Sequence, residues 1–207
     1  MILTENRQNK FKQTIANRQI DVTVVLENVH DPHNIGAVMR SCDAIGINEI
    51  YILNTTDLTK KQVLRFGKSA SGAIRWITLH YYDDIEACMT EVKKKYKRVY
   101  ATHLGEQSKD LYDLNLTEPI ALMFGNEHEG ITKESLKHCD GNFIIPQFGM
   151  VQSLNISVAC AVTLFETLRQ RKAASMYGQE FDESNSFHSG KYAEWYQKQL
   201  NKWQTSE

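Results

Sequence analysis

What most limits the fold of this chain is an alternation between two hydrophobic periodicities. The first apolar run, Val22-Thr23-Val24-Val25-Leu26, is continuous rather than alternating in polarity, which suits a strand covered on both faces. Comparable runs lie near residues 49–53, 75–79, 98–101, 120–124 and 143–145. Between several of them the apolar spacing changes to that of a helix. Ile35, Val38, Cys42 and Ile45 mark one inner face, with Asn34 placed to cap the helix and Gly46 to end it. Further helices are expected over 84–96, 132–138 and 155–171. Strands alternating with helices predict βαβ units, and hence an α/β domain on a mostly parallel sheet.

Two segments flank this pattern. Residues 5–18 read as a helix with Phe11 and Ile15 on one face and Thr4 as its cap. The same stretch carries Arg7, Lys10, Lys12 and Arg18 against one acid, Glu5; a solvated helix face explains that as well as RNA contact does. Residues 176–190 are polar and read as a linker, and a last helix over 191–203 bears Tyr192, Trp195, Tyr196, Leu200 and Trp203 on or near one face. Such a stripe fits core packing better than base stacking. The expected division is a helical extension over 1–20, a central domain over 21–173, and a linker with a helical extension over 174–207.

With 207 residues, 42% of them hydrophobic, the chain can bury a sizeable core. A net charge of −1 argues against an indiscriminate polyanion binder but allows a local basic surface. No apolar run approaches the roughly 20 residues of a membrane span, and the charged first 19 residues do not read as a secretory signal. Cys42, Cys88, Cys139 and Cys160 are widely spaced, with no CxxC pair, as expected of reduced thiols in a cytoplasmic protein.

Three polar loops, each bearing glycine or proline, directly follow apolar runs: 27–34, 125–130 and 146–155. Ligands of open α/β sheets bind beyond the carboxyl ends of the strands, so these loops are the candidate site. Other readings fail on spacing. Gly67-Lys68-Ser69 lacks the phosphate-loop glycine, since position 62 is Gln62. His128-Glu129 lacks the second histidine of a zinc protease, and His30 and His33 have no obvious third ligand, so no metal is expected. No GxGxxG follows a strand, and Ser153 has no nucleophile-elbow context.

At these loops the sequence resembles the SpoU/TrmH branch of the SPOUT methyltransferases. The matching stretches are NVHDPHNIGAVMRSCDAIG (28–46), FGNEHEGI (124–131) and IPQFGMVQSLNISVA (145–159), in order and at similar spacing. The terminal helices resemble the appendages of the subgroup that methylates the 2′-hydroxyl of guanosine 18 in tRNA. The resemblance implies a deep C-terminal trefoil knot, a rare exception to ordinary topology. It further implies a homodimer with an active site built from both subunits, and S-adenosylmethionine held near Thr102, Gly125, Ile145 and Leu154. Arg40 matches the family's catalytic arginine; Asn34, Glu127, Ser153 and Asn155 match its other catalytic positions. Arg7, Lys10, Lys12, Arg18 and His33 are then candidates to contact tRNA. Helix capping explains Asn34 and Asn155 equally well, and both roles are compatible. The competing expectations are methylation of ribosomal RNA or of another tRNA position, a catalytically silent RNA-binding factor on the same scaffold, and a small-molecule hydrolase using Glu127 or His128.

Overall fold

The computed structural model describes residues 3–56, 75–105, 107–126, 128–151 and 153–204. The Gly67-Lys68-Ser69 segment lies outside them. The chain divides into two compact units, Gln19–Arg171 and Met1–Arg18 with Lys172–Glu207, so both terminal segments belong to one unit.

The larger unit holds seven strands: β1 (Val22–Glu27), β2 (Glu49–Leu53), β3 (Thr78–Tyr82), β4 (Arg98–Thr102), β5 (Lys109–Asp110), β6 (Ile120–Phe124) and β7 (Gly141–Ile144). They form one sheet in the order β3-β2-β1-β6-β4-β7-β5, and every neighbouring pair is parallel. β1 and β6 lie side by side from Val22↔Ile120 to Leu26↔Phe124, and every residue of both is buried. This double burial is why their sequences are unbroken apolar runs.

The helices are α1 (Glu5–Ala16), α2 (Pro32–Ala44), α3 (Ile85–Lys95), α4 (Lys133–Leu136), α5 (Ile156–Ala173) and α6 (Ser186–Gln204). Alternate residues of β1 point to opposite faces of the sheet. Val22, Val24 and Leu26 pack with Ile35, Val38 and Met39 of α2 and with Ile156, Cys160 and Leu164 of α5. Val25 packs on the other face with Cys88, Met89 and Val92 of α3. Beneath α5, the buried Arg171 guanidinium donates to Gln19, to Asp21 and to the carbonyls of Leu116 and Glu118. Its donors are thereby paired in place, as a buried cation requires.

Three expectations are corrected. Asp31, not Asn34, caps α2: its side chain accepts from the His33 N–H at 2.8 Å, and Pro32 opens the helix. Asn34 lies in the first helical turn instead. The strand expected over 75–79 runs over Thr78–Tyr82. It is an edge strand, half-buried throughout, so aromatic stacking of His80 and Tyr82 on Tyr51 outweighs its weak apolar pattern. The linker is shorter than expected, because Asn185 accepts from the N–H groups of Phe187 and His188 and starts α6 five residues before position 191. β5 has two residues, too few to carry a period.

In the smaller unit α1 packs on α6. The Phe11 ring meets Trp195 edge-on at 5.6 Å and Tyr192 at 6.4 Å. Trp195 is buried, so this part of the aromatic stripe is packing. Among the described residues, no helix is long and apolar enough to cross a membrane.

A second buried charge lies at the amino end of β2. Glu49 receives His80 Nε2 (3.0 Å), Lys95 Nζ (2.8 Å), Tyr96 OH (2.9 Å) and Tyr51 OH (3.2 Å). Burial alone raises a carboxyl, but here the hydrogen bonds from His80, Lys95 and Tyr96 outweigh it and hold Glu49 at about 2. A carboxyl depressed by folding stabilises the fold above its unfolded value of 4.5, and that contribution is lost as pH falls toward about 2. The full contribution is on the order of 3 kcal/mol. Glu49→Gln is therefore expected to lower stability at pH 7 and to flatten its decline between pH 5 and pH 3. Urea unfolding at several pH values checks this; parallel pH profiles for both proteins would refute it.

Candidate active site

Because the sheet is parallel, β1, β4, β6 and β7 end on one edge, and the three loops singled out by their composition leave that edge together. A cavity of about 580 Å³ opens there, within the range of small-molecule sites. Thr102 from the end of β4, Gly125 after β6, and Ile145 and Leu154 after β7 all line it, as does Ser153. The Thr102 hydroxyl donates to the Met123 carbonyl at 3.3 Å. Ile145 and Leu154 are half-buried and supply apolar walls.

The second loop closes on itself. Asn126 and Gly130 exchange backbone hydrogen bonds at 3.0 and 2.8 Å, with Gly130 at φ +69°. A Cβ on Gly125 would stand 2.2 Å from the Gly130 carbonyl carbon and 2.4 Å from the Ile131 nitrogen. Only glycine allows this approach.

Side chains tie the loops to one another. Asn126 Nδ2 donates to the Asn28 carbonyl at 2.9 Å, joining the second loop to the first. Asn155 Nδ2 donates to Asn34 Oδ1 at 3.2 Å, joining the third loop to α2. Asn155 also caps α5, accepting from the Ser157 N–H and hydroxyl, so capping and inter-loop contact do coexist there. Arg40 is exposed on α2 and is not among the residues lining the cavity. Six residues put it about 120° around the helix from Asn34. Glu127 lies outside the described residues.

The basic candidates divide sharply. Arg18 is 6% exposed, with its guanidinium 5.1 Å from the centre of the Trp195 ring; it is a packing residue, unable to meet a phosphate where it stands. Lys12 pairs with Glu183 at 3.1 Å and lies over the Phe181 ring. Arg7 lies over Phe11 and reaches Gln199 at 3.4 Å. Lys10 and His33 are exposed. Sequence reasoning assigned no role to His103, Leu104, Asn126 or Glu129, which also line the cavity. Their position directly after the apolar runs of β4 and β6 was the available signal.

The profile of the SpoU rRNA Methylase family matches residues 21–165. A tRNA (guanosine(18)-2′-O)-methyltransferase of Thermus thermophilus is 41% identical over 174 residues, covering 84% of this chain and 88% of that protein. The crystal structure of a TrmH/SpoU tRNA modifying enzyme of A. aeolicus superposes with a TM-score of 0.81 at 28% identity, covering 95% of this chain and 98% of the other. An AdoMet-bound rRNA methyltransferase from Sinorhizobium meliloti superposes with a TM-score of 0.65 at 28% identity, over 76% of this chain and 59% of that one. On a profile that spans the whole sheet and a relative this similar along most of its length, the chain belongs to the SpoU rRNA Methylase family.

Proposed function

We propose that this protein is an S-adenosylmethionine-dependent RNA methyltransferase that modifies a ribose 2′-hydroxyl of tRNA, with guanosine 18 as its target. The observation that carries the reading is the cavity at the strand ends. Thr102, Gly125, Ile145 and Leu154, the four residues expected to hold the cofactor, all border it. Its size, its apolar walls and the loop that only Gly125 permits suit a nucleoside-bearing ligand held largely by backbone groups. The Thermus thermophilus and A. aeolicus relatives favour tRNA over ribosomal RNA.

When bound, the cofactor would supply a methyl group on a sulfonium, a good leaving centre that needs no metal. The chain must then align a ribose hydroxyl and draw off its proton. Arg40 suits the aligning role, because a guanidinium holds a phosphate by paired hydrogen bonds and so fixes the attached ribose. It suits proton removal poorly, because arginine is almost never deprotonated. Ser153 borders the cavity, and Asn34 and Asn155 are joined beside it; they are assigned to holding the reacting ribose and the third loop. Glu127 is assigned to orienting Arg40 or the guanosine. Lys10, Arg7, Lys12 and His33 are assigned to the RNA surface, and Arg18 is withdrawn from it.

The site is assigned to a homodimer. Arg40 stands outside its own chain's cavity, which suits service to a partner's. Phe148 (98% exposed), Met150 (99%) and Val151 (64%) on the third loop and Val158 and Phe165 on α5 are large apolar side chains left in solvent, which a partner subunit would cover. A trefoil knot is likewise assigned: β7, late in the chain, lies between the earlier β4 and β5. Four free cysteines suit a reducing compartment, and the protein is assigned to the cytoplasm.

Incubation with labelled S-adenosylmethionine and unmodified tRNA, followed by mapping of the product, is expected to yield 2′-O-methylguanosine at position 18. Label entering ribosomal RNA and not tRNA would overturn the substrate; label in neither would overturn the enzyme. For Arg40→Lys, phosphate anchoring alone predicts modest loss that saturating RNA recovers. A direct part in proton removal predicts turnover lower by roughly 10²–10⁴-fold at saturating RNA. Single-turnover rates across a pH series separate the two. Phe165→Glu is expected to give a monomer without methylation by light scattering and activity; full activity from a monomer at micromolar concentration would refute the dimeric site.

A further inference from the structure

Two adjacent residues at the carboxyl end of β1 hold the two ends of the loop between β6 and α4. Glu27 is fully buried. Its carboxylate accepts from the Thr132 N–H at 3.0 Å, the Thr132 hydroxyl at 2.7 Å and the Ser135 hydroxyl at 2.6 Å. All three donors are neutral. Burying a carboxylate among neutral partners is costly, and an apolar side chain of similar size would fill the same space more cheaply. The arrangement makes sense as a device that fixes position: one carboxylate determines where the chain enters α4.

Asn28 holds the other end. It adopts φ +52°, a conformation that asparagine tolerates better than most residues. Its side chain accepts from the Thr55 N–H at 2.9 Å and donates to the Thr55 hydroxyl at 3.1 Å, while its own N–H donates to the Leu53 carbonyl. So anchored to the end of β2, it turns its carbonyl to Asn126 Nδ2. Asn126 Oδ1 in turn accepts from the N–H groups of His128 at 2.8 Å and Glu129 at 3.3 Å. The loop is thereby pinned at Asn126 and at Thr132; Gly125 just before the first pin, Asn126 itself, and Glu129 and Gly130 between the pins line the cavity.

We infer that Glu27 and Asn28 are positioning residues that set the cofactor-facing wall before any ligand arrives. This rests on the reading of the cavity as the S-adenosylmethionine site. The probes are S-adenosylmethionine binding by calorimetry and amide hydrogen exchange of the ligand-free protein. Glu27→Leu leaves the Thr132 N–H without its acceptor, and affinity is expected to fall about tenfold or more. Exchange should quicken across 125–132 and stay unchanged in β2 and β3. Glu27→Gln can still accept from that N–H, and both hydroxyls can turn to accept from its amide; it is expected to bind within about threefold of the natural protein. Thr132→Ala with Ser135→Ala leaves the Glu27 carboxylate with the Thr132 N–H alone and removes the hydroxyl that caps α4, so it too should bind less tightly than Glu27→Gln. Natural affinity in Glu27→Leu, equal losses in the Leu and Gln variants, or faster exchange spread over the whole sheet would each overturn the inference. Should Glu27→Leu fail to fold, the Gln and double-alanine variants decide it by the same ordering. The exchange experiment needs no cofactor. Failure of the natural protein to bind S-adenosylmethionine would therefore sink the cofactor reading, while local loosening of 125–132 would still stand as evidence for positioning.

Discussion

The parallel pairing of β1 with β6 is the interaction on which the rest of the larger unit depends. It sets residues about a hundred positions apart side by side, Leu26 beside Phe124, so that the loops leaving both strands emerge together. Parallel pairing cannot be made by a hairpin; each pair needs a crossover, and the crossovers here supply the helices that bury both faces. From this one geometry follow the unbroken apolar runs and the collection of four strand ends on one edge. The cavity bordered by Thr102, Gly125, Ile145 and Leu154 follows from it as well.

Buried charge is used sparingly and in different ways. Arg171 ties α5 to backbone carbonyls and to Asp21, closing the unit where the sheet begins. Glu49 is enclosed by a histidine, a lysine and two tyrosines, and so contributes to stability in a pH-dependent way. Among the described residues, Glu27 meets only neutral donors at the functional edge. The first two charges each have an opposite charge beside them, Asp21 at Arg171 and Lys95 at Glu49. Among the described residues the third has hydrogen bonds but no opposite charge, which is why position rather than stability explains it.

In the smaller unit, charge that looked available for RNA is partly spent on packing. The Arg18 guanidinium lies over Trp195 and the Lys12 ammonium over Phe181. A basic cluster in sequence and a basic surface in space are different things, since Trp195, arriving from α6, takes Arg18 out of the surface.

The alternation of periods was enough to establish the α/β class, and five of the expected strands overlap observed ones; β1, β2 and β6 are buried at every position, which leaves the strongest signal. Edge elements were not legible in the same way. β3 was displaced and β5 missed, since a half-buried or two-residue strand has little apolar pattern. Of the site, composition and motif spacing identified the three loops, and the residues expected around the cofactor do border one cavity. By itself the sequence determined the strand cores, the loops and the glycine at position 125, because burial on both faces and steric exclusion act locally and leave marks on residue type. Tertiary structure decided the strand order, the burial of Arg18 and the grip of Glu27 and Asn28 on the second loop. Each of these depends on partners distant along the chain, which no local pattern encodes.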